Sequence, residues 1–275
     1  MISKLRELFS YRELIENLVV RDLKVRYRSS VLGFFWSWLN PLLMMTVFTV
    51  VFTVMVPNLA IPKFPVFVLC ALLPWNFFSA AVTSAMNSIV HNAHLTKKVY
   101  FPREILPIST VLSNLVNFLL SLPVLFLFVV LFSVPLTPSL LFLPLIVLVQ
   151  VAFATGVALV LSTLNVFYRD TAVIMEVVMQ AWFFLTPIFY PAELLPEWKT
   201  LWGVALPVRR LTYILNPMAS IIASYRSVLY GFTNGSPPAP PALDFFSRTI
   251  VTSLICLIVG YAIFTRYAHR FGEEV

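Results

Sequence analysis

Charge is scarce in this 275-residue sequence. Only 11% of its residues are Asp, Glu, Lys or Arg, against roughly 25% in a typical soluble domain. From Ile105 to Tyr168 no such residue occurs, and most of that stretch is Leu, Val, Ile and Phe. A bilayer core of about 30 Å needs about 20 apolar residues per helical crossing, so the stretch is long enough for two crossings. The sequence therefore excludes an ordinary soluble domain and predicts an integral membrane protein.

Residues that could support catalysis or metal binding are also sparse. Of the 12 carboxylates only Glu176 lies clearly within an apolar run, so no carboxylate pair inside the membrane offers acid and base roles. The seven glycines form no GxxxxGK[ST] phosphate loop, so any nucleotide hydrolysis must come from another chain. His91 and His94 lack a Cys or carboxylate beside them, and we expect no metal site. Cys70 and Cys256 lie in apolar runs, where a thiol is usually a packing group, and we expect no disulfide.

The apolar runs predict an all-α integral membrane protein with six transmembrane helices. An even number of crossings leaves both termini on one side. Of the 19 Lys and Arg residues, 13 lie in the terminal segments and in the loops after the second and fourth spans, which makes that side cytoplasmic by the positive-inside rule. We expect the transmembrane domain to cover residues 34–275, with spans at about 34–56, 64–90, 105–132, 140–164, 171–190 and 246–266.

Residues 1–33 predict a cytoplasmic amphipathic helix that lies along the membrane surface. Its apolar residues fall near one stripe, and its charged residues lie elsewhere around the axis. A basic membrane anchor explains this pattern as well as a contact with a partner protein does. The stripe consists of Tyr11, Leu14, Ile15, Leu18 and Leu23, and the charged residues around it include Arg12, Glu16, Arg21, Lys24 and Arg28.

Two connections between the predicted spans are unusual. Residues 91–104, after the second span, form a basic cytoplasmic loop interrupted by a proline. Residues 191–244, after the fifth span, are too long for a turn, and their apolar pieces are too short to cross a membrane. Prolines separate these pieces, which predicts short helices in the outer leaflet rather than a folded external domain.

One acidic residue and several aromatic residues are candidates for a transport path. A charge within a span costs about 2.5 to 3.5 kcal/mol on insertion scales and usually faces a bundle interior or water, but Glu176 is shallow enough to reach the headgroups as well. Aromatic residues at span ends are typical of interfacial belts. Rings at intermediate depth could instead stack on the C–H faces of sugars. The candidates are Phe34, Trp36, Trp75, Phe77, Phe78 and Phe183.

Five short segments together resemble a known family. They are RYRSSVLGFFWSWLNP at 26–41, KKVYFPREILP at 97–107, NVFYRD at 165–170, TPIFYP at 186–191 and LNPM at 215–218. Each string is short, but the five keep the family's order and cover nearly the whole chain. The sequence resembles the membrane subunits of type 2 ABC exporters of the O-antigen and polysaccharide class.

The resemblance implies a homodimer of six-span subunits in the bacterial cytoplasmic membrane, with two separate ATPase subunits on the cytoplasmic side. ATP and Mg²⁺ would bind those subunits, and this chain would hold no cofactor and bind no nucleic acid. Loop 91–104 resembles the coupling helix that contacts the ATPase, residues 11–28 the interface helix, and the outer region 191–244 the gate helices. The implied contact residues are His94, Lys97, Lys98, Arg103 and Glu104 in the loop and Arg12, Glu16 and Arg21 in the interface helix.

The resemblance also implies the substrate, a polysaccharide linked to polyprenyl pyrophosphate. Lys24, Arg26 and Arg28 at the cytoplasmic headgroup level could bind the pyrophosphate, although attraction to anionic lipids explains the same charges. A teichoic acid or capsule exporter of the same family remains an alternative. Less favoured alternatives are a type 2 ABC exporter of drugs or lipids and, from a different class, a membrane glycosyltransferase.

Overall fold

A computed structural model of the chain describes residues 10–28, 33–55, 61–98, 101–201 and 204–274. Most of this part of the chain is helical. The helices are α1 Arg12–Tyr27, α2 Trp36–Val50, α3 Phe64–His91, α4 Ala93–Lys98, α5 Ile105–Leu131, α6 Leu143–Phe167, α7 Thr171–Leu185, α8 Val208–Leu215, α9 Pro217–Leu229, α10 Leu243–Tyr267 and α11 Phe271–Glu274. A π-helical segment, Val51–Met55, continues α2, and 3-10 turns lie at Gly33–Phe35, Pro138–Phe142, Ala192–Leu194 and Ala268–Arg270.

Five helical segments are long and apolar enough to cross a membrane. They are Trp36–Thr53, Phe64–His91, Ile105–Leu131, Pro138–Phe167 and Leu243–Glu274. The helix α7 is apolar too, but its 15 residues reach only about 22 Å at a rise of 1.5 Å per residue. The protein is therefore a helical membrane protein, with five long apolar helices and several shorter ones in the part of the chain that the structure describes.

The helix α7 ends earlier than the apolar run that contains it. The run predicts a span over residues 171–190, whereas the helix stops at Leu185. Thr186 adopts an extended backbone with φ −95° and ψ 132°. Since the next residue is Pro187, whose ring disfavours a helical conformation at the residue before it, the chain leaves the helix at this point.

The outer region between α7 and α10 contains a short sheet as well as helices. Strands β1 (Lys199–Leu201) and β2 (Val204–Leu206) pair antiparallel, with Thr200 opposite Ala205. The outer region therefore contains short helices, as the sequence predicts, and in addition two strands that the sequence does not predict. In the following helix, α9, Asn216 is the N-cap residue and accepts a hydrogen bond from the backbone N–H of Ala219 at 3.3 Å. A proline at N1 and an asparagine at N-cap are favourable helix starts, which explains why α9 begins here.

The helix α3 forms the centre of the molecule. Most of its side chains are buried, and it packs against α5, α6, α2 and α9. The helix α10 lies at the periphery and packs chiefly against α6. A Cβ atom at Gly260 would lie 2.3 Å from the carbonyl oxygen of Gly156. The backbones of α6 and α10 are thus in direct contact, as at the small-residue crossings common between membrane helices.

A smaller hydrophobic cluster joins the elements at the end of the bundle that carries α1, α4 and α11. The helix α1 begins at Arg12, with Tyr11 rather than the more usual Ser, Thr, Asp or Asn as its N-cap residue. Its Leu18 is buried in this cluster. The other buried members are Ile89, Phe101, Ile105, Leu106, Leu159, Val166, Phe264 and Phe271, and Tyr11, Leu14, Ile15 and Leu95 pack against them. We call it the basal cluster.

Candidate functional site

A polar cavity of about 570 Å³ lies between helices α2, α3 and α5. Four asparagines line it, at least one from each of the three helices. A polar side chain within a hydrocarbon layer is costly unless it is hydrogen-bonded or faces water. Asn40 and Asn76 are not buried, so their amides indicate a space for water or a hydroxyl-rich ligand. We call this cavity the polar groove. Its polar lining residues are Ser37, Asn40, Asn76, Ser79, Thr83, Asn114, Asn117 and Ser121.

The end of α1 is hydrogen-bonded to one wall of the polar groove. Arg26 Nη2 donates to Asn114 Oδ1 at 2.9 Å. Asn117 Oδ1 accepts hydrogen bonds from the hydroxyls of Tyr27 and Ser37, the latter at 2.8 Å. Ser37 lies at the start of α2, and Asn114 and Asn117 lie on α5. These contacts therefore fix α1 relative to α2 and α5.

The predicted aromatic candidates occupy two different environments. Trp75 and Phe78 are buried within the chain itself, beside Trp182 and other rings, so they pack the core and do not face a path. Trp36, Phe77 and Phe183 line the polar groove. Of these three, Trp36 is the most exposed, at 46%. The side chain of the sixth candidate, Phe34, lies outside the described residues.

The predicted coupling residues also divide into two groups. His94 and Lys97 are exposed on α4. Lys98 ends that helix, and its side chain lies outside the described residues. Arg103 instead turns back into the chain and donates a hydrogen bond to the carbonyl of Ala268, while the buried Glu104 accepts one from the hydroxyl of Tyr261 at 3.2 Å.

Among the charged residues of α1, Arg12 and Glu16 are exposed. Arg21 pairs with Asp22 at 2.9 Å and donates a hydrogen bond to Asn92 Oδ1 at 3.2 Å, which ties α1 to the junction of α3 and α4. The three pyrophosphate candidates are not together. Lys24 and Arg28 line an open concavity with Asn17 and Arg21, whereas Arg26 binds Asn114 in the polar groove.

Glu176 lies on an exposed apolar face of α7. Its neighbours on the helix, Val173, Ile174, Val177 and Val178, are all exposed in the single chain. Among the described side chains no Lys, Arg or His lies within 4.0 Å of its carboxylate. A carboxylate on an otherwise apolar surface is expected to face a cavity or a partner rather than lipid.

Arg226 connects three elements at the other end of the bundle. It lies on α9, is buried, and stacks on the ring of Phe67 with 3.6 Å from Cζ to the ring centroid. Its guanidinium donates to the backbone carbonyls of Pro187, Ile188 and Phe67, the first at 2.6 Å. Burial lowers its pKa to about 10, so it stays charged at neutral pH. Arg226 therefore holds α9 against the start of α3 and the segment after α7.

Comparison with known proteins agrees with this architecture. A family model described as ABC-2 type transporter matches residues 13–230. The chain belongs to the ABC-2 type transporter family. It is also 36% identical over 275 residues, the full length of both chains, to a protein of Myxococcus xanthus named O-antigen export system permease protein RfbA. Two proteins of Klebsiella pneumoniae with the same name are 36% identical over 264 residues, 95% of this chain and 94% of theirs.

Membership of the ABC-2 transporter family explains the absence of catalytic groups noted in the sequence. In such transporters the membrane subunit is separate from the ATPase subunit. Among the described residues of this ABC-2 subunit, no group of three or more His, Cys, Asp or Glu side chains could hold a metal ion. The functional surfaces expected of such a subunit are a path through the membrane and a contact with the ATPase.

Sequence reasoning missed the asparagines of the polar groove in this ABC-2 subunit. It considered charged residues within spans and overlooked uncharged amides, although Asn114 and Asn117 lie one helical turn apart in an apolar run. Amides in a span carry a desolvation cost similar in kind to that of charges. That cost was the signal available in the sequence, but only the folded chain brings Asn40, Asn76 and Asn117 to one cavity.

Proposed function

We propose that this chain is the membrane permease subunit of an O-antigen export system, and that it moves a polyprenyl-pyrophosphate-linked polysaccharide across the bacterial cytoplasmic membrane. The observation that carries the proposal is the 36% identity, over the full length of both chains, to a permease of that name. This similarity extends over the helices α2, α3 and α5 of the polar groove. It also extends over α1 and α4 at one end of the bundle and over the outer region 191–244 at the other end.

The proposed topology has six crossings with both termini in the cytoplasm. The sixth crossing is α7, whose 15 helical residues would be supplemented by the non-helical segment 186–191. Arg226 supports this reading, because it satisfies the carbonyls of Pro187 and Ile188. Non-helical backbone at membrane depth requires such partners. The outer region 191–244, with α8, α9 and the two-stranded sheet, would cover the exit of the path.

We propose that two copies of the chain form the transporter, with two ATPase subunits beneath them. Glu176 supports this arrangement, because it is exposed on α7 among the exposed Val173, Ile174 and Val177, and a carboxylate is costly against lipid. In such a dimer Glu176 would face the partner or a shared cavity instead of lipid.

The chemistry of the polar groove suits a glycan. An asparagine side chain offers both hydrogen-bond donors and an acceptor, which matches the hydroxyls of a sugar. Trp36 and Phe183 add aromatic faces for sugar C–H groups, whereas Phe77 is only 4% exposed and stacks on Phe118. In this proposal the groove forms part of the wall along which the polysaccharide passes, and Asn40 and Asn76 exchange hydrogen bonds with successive sugars.

The pyrophosphate is proposed to meet the protein at Lys24 and Arg28. These residues are spaced four apart at the end of α1, so they share one face of the helix, and they line one concavity. Arg21 and Arg26 are left out of this set, since their guanidinium groups already bind Asp22 and Asn114. Anionic lipid headgroups carry the same charge and are the competing ligand for this surface.

The proposed contact with the ATPase consists of the coupling helix α4 and the exposed face of α1. His94 and Lys97 on α4 and Arg12 and Glu16 on α1 are exposed and available to a partner. Lys98 belongs to the same set by its place at the end of α4. Arg103 and Glu104 would hold the loop that contains α4 in position, through their contacts with Ala268 and Tyr261.

Transport into inside-out membrane vesicles tests the function. Vesicles that contain this chain and its ATPase would receive a polyprenyl-pyrophosphate-linked O-antigen on their outer, cytoplasmic face. We expect ATP-dependent uptake that protects the glycan from added glycosidase. The paired substitutions Asn40→Leu and Asn76→Leu should reduce the uptake rate severalfold, whereas Asn234→Leu in the outer linker should not.

Two results would contradict the proposal. The O-antigen export function would be wrong if ATP protected no glycan, or if a phosphate-rich teichoic acid polymer were taken up in its place. The role of the polar groove would be wrong if the asparagine variants transported at the rate of the unaltered protein with equal amounts of the complex in the membrane.

A further inference from the structure

Residues 268–274, near the C-terminus, contribute to the basal cluster. Phe271 on α11 is fully buried. Its ring centroid lies 5.1 Å from that of Phe264 on α10 and 6.0 Å from that of Phe167 on α6. The buried ring therefore ties the four-residue helix α11 to α6 and α10.

The same C-terminal segment contacts the loop that contains the coupling helix. The helix α11 packs directly against α4. Arg103, five residues beyond α4, donates a hydrogen bond to the carbonyl of Ala268. A Cβ atom at Gly272 would lie 3.0 Å from Arg103 Nη2, so the guanidinium fits closely over the turn between α10 and α11.

A second contact fixes the same end of this loop. Glu104 is buried and accepts a hydrogen bond from the hydroxyl of Tyr261 on α10 at 3.2 Å. Leu95 on α4 packs against the basal cluster, to which Phe271 belongs, nearer the start of the loop. The coupling loop is therefore held by Ala268 of the C-terminal segment, by Tyr261 of α10 and by the basal cluster.

From these contacts we infer that the C-terminal segment Ala268–Glu274 positions the coupling helix for the ATPase subunit, with Phe271 as its anchor. This inference rests on the proposed function. Since α11 buries Phe271 against the protein and leaves Glu273 and Glu274 exposed beside α4, the two carboxylates extend the basic surface of α4 with an acidic edge. The ATPase surface that fits would be acidic opposite His94 and Lys97 and basic opposite the two glutamates.

The purified complex of the full chain with its ATPase, reconstituted in vesicles, tests the inference. We expect Phe271→Ala to leave the complex assembled and hydrolysing ATP, while the amount of glycan exported per ATP falls by about fivefold, within the usual range of coupling between sites. Phe271→Leu should restore most of the loss, because it keeps an apolar anchor. The matched control is Phe232→Ala, which removes an exposed ring from the outer region.

A failure of this inference and a failure of the proposed function give different results in this experiment. If the unaltered complex exports no glycan, the proposed function is wrong. Cross-linking of a His94→Cys variant to the ATPase then tests the segment, and an unchanged cross-linking yield after Phe271→Ala would overturn the inference. If the unaltered complex exports glycan and Phe271→Ala exports as much per ATP, the inference is overturned. Loss of assembly and hydrolysis together, with a lower unfolding temperature, would also overturn it, because the segment would then be a stability element only.

Discussion

The hydroxyl of Tyr225 donates a hydrogen bond to Gln150 Oε1 at 2.7 Å, and both side chains are fully buried. The amide of Gln150 in turn donates to the carbonyl of Pro74 at 2.7 Å. Through these two bonds one glutamine on α6 connects the outer helix α9 to the central helix α3. The network crosses the apolar core, where an unpaired polar group has no water to replace its partner.

Removing Gln150 should therefore destabilise the protein. We expect Gln150→Leu to lower the free energy of unfolding by about 1 to 3 kcal/mol, since the Tyr225 hydroxyl is left buried without its acceptor. Adding Tyr225→Phe should cost less than it does alone, because the hydroxyl is no longer needed. A double-mutant cycle from thermal unfolding of the purified complex measures this coupling, and strictly additive effects would rule it out.

The contact between α6 and α10 predicts that Gly260 cannot be enlarged. A methyl group at that position would meet the carbonyl oxygen of Gly156, and backbone atoms on both sides cannot move independently. Gly260→Ala should cost about 1 to 3 kcal/mol, as overpacking usually does. Ala262→Leu, on an exposed position of the same helix, is the control and should have little effect. Equal unfolding temperatures for the two variants would contradict the close crossing.

Arg226 should be required for a stable outer region. Arg226→Met keeps much of the stem but removes the donors to three carbonyls and the contact with the Phe67 ring, so we expect a loss of about 2 to 4 kcal/mol. Arg210→Met, at an exposed position on α8, serves as the matched control. Protease cleavage between residues 191 and 244 should become faster only in the Arg226 variant. A cleavage rate equal to that of the control would show that other contacts hold this region.

The exposed charges of the coupling helix should matter only in combination. We expect Lys97→Glu with Lys98→Glu to weaken ATPase binding or to lower export per ATP, while each single change is mild, since a surface ion pair is worth roughly 0 to 1 kcal/mol. Arg103 stays unchanged in this test, because its bond to Ala268 belongs to the fold.

Lys199→Glu in the outer region is the control for the charge reversal. Membrane levels and topology must be checked first, since removing inward positive charge can disturb insertion. A correctly inserted double variant with normal binding and normal export per ATP would mean that these lysines only orient the chain in the membrane.

The sequence alone determined the class of the protein. The long apolar helices and the family both follow from it, because hydropathy belongs to each segment and short motifs keep their order regardless of packing. The end of α7 could also be predicted from the proline at position 187, although the apolar run continues on both sides of it. The two strands could not be predicted from the sequence, since three-residue strands in an irregular region show almost no periodic pattern.

The tertiary structure decided what each side chain does. Trp75 and Trp36 read alike in the sequence, yet the first is core and the second lines the polar groove. Arg103 lies among the coupling residues in sequence but binds Ala268, 165 positions away. The reason is physical: in a membrane helix nearly every face is apolar, so the sequence does not reveal which face meets lipid, protein or a cavity. Only the rotation of each helix against its neighbours settles that.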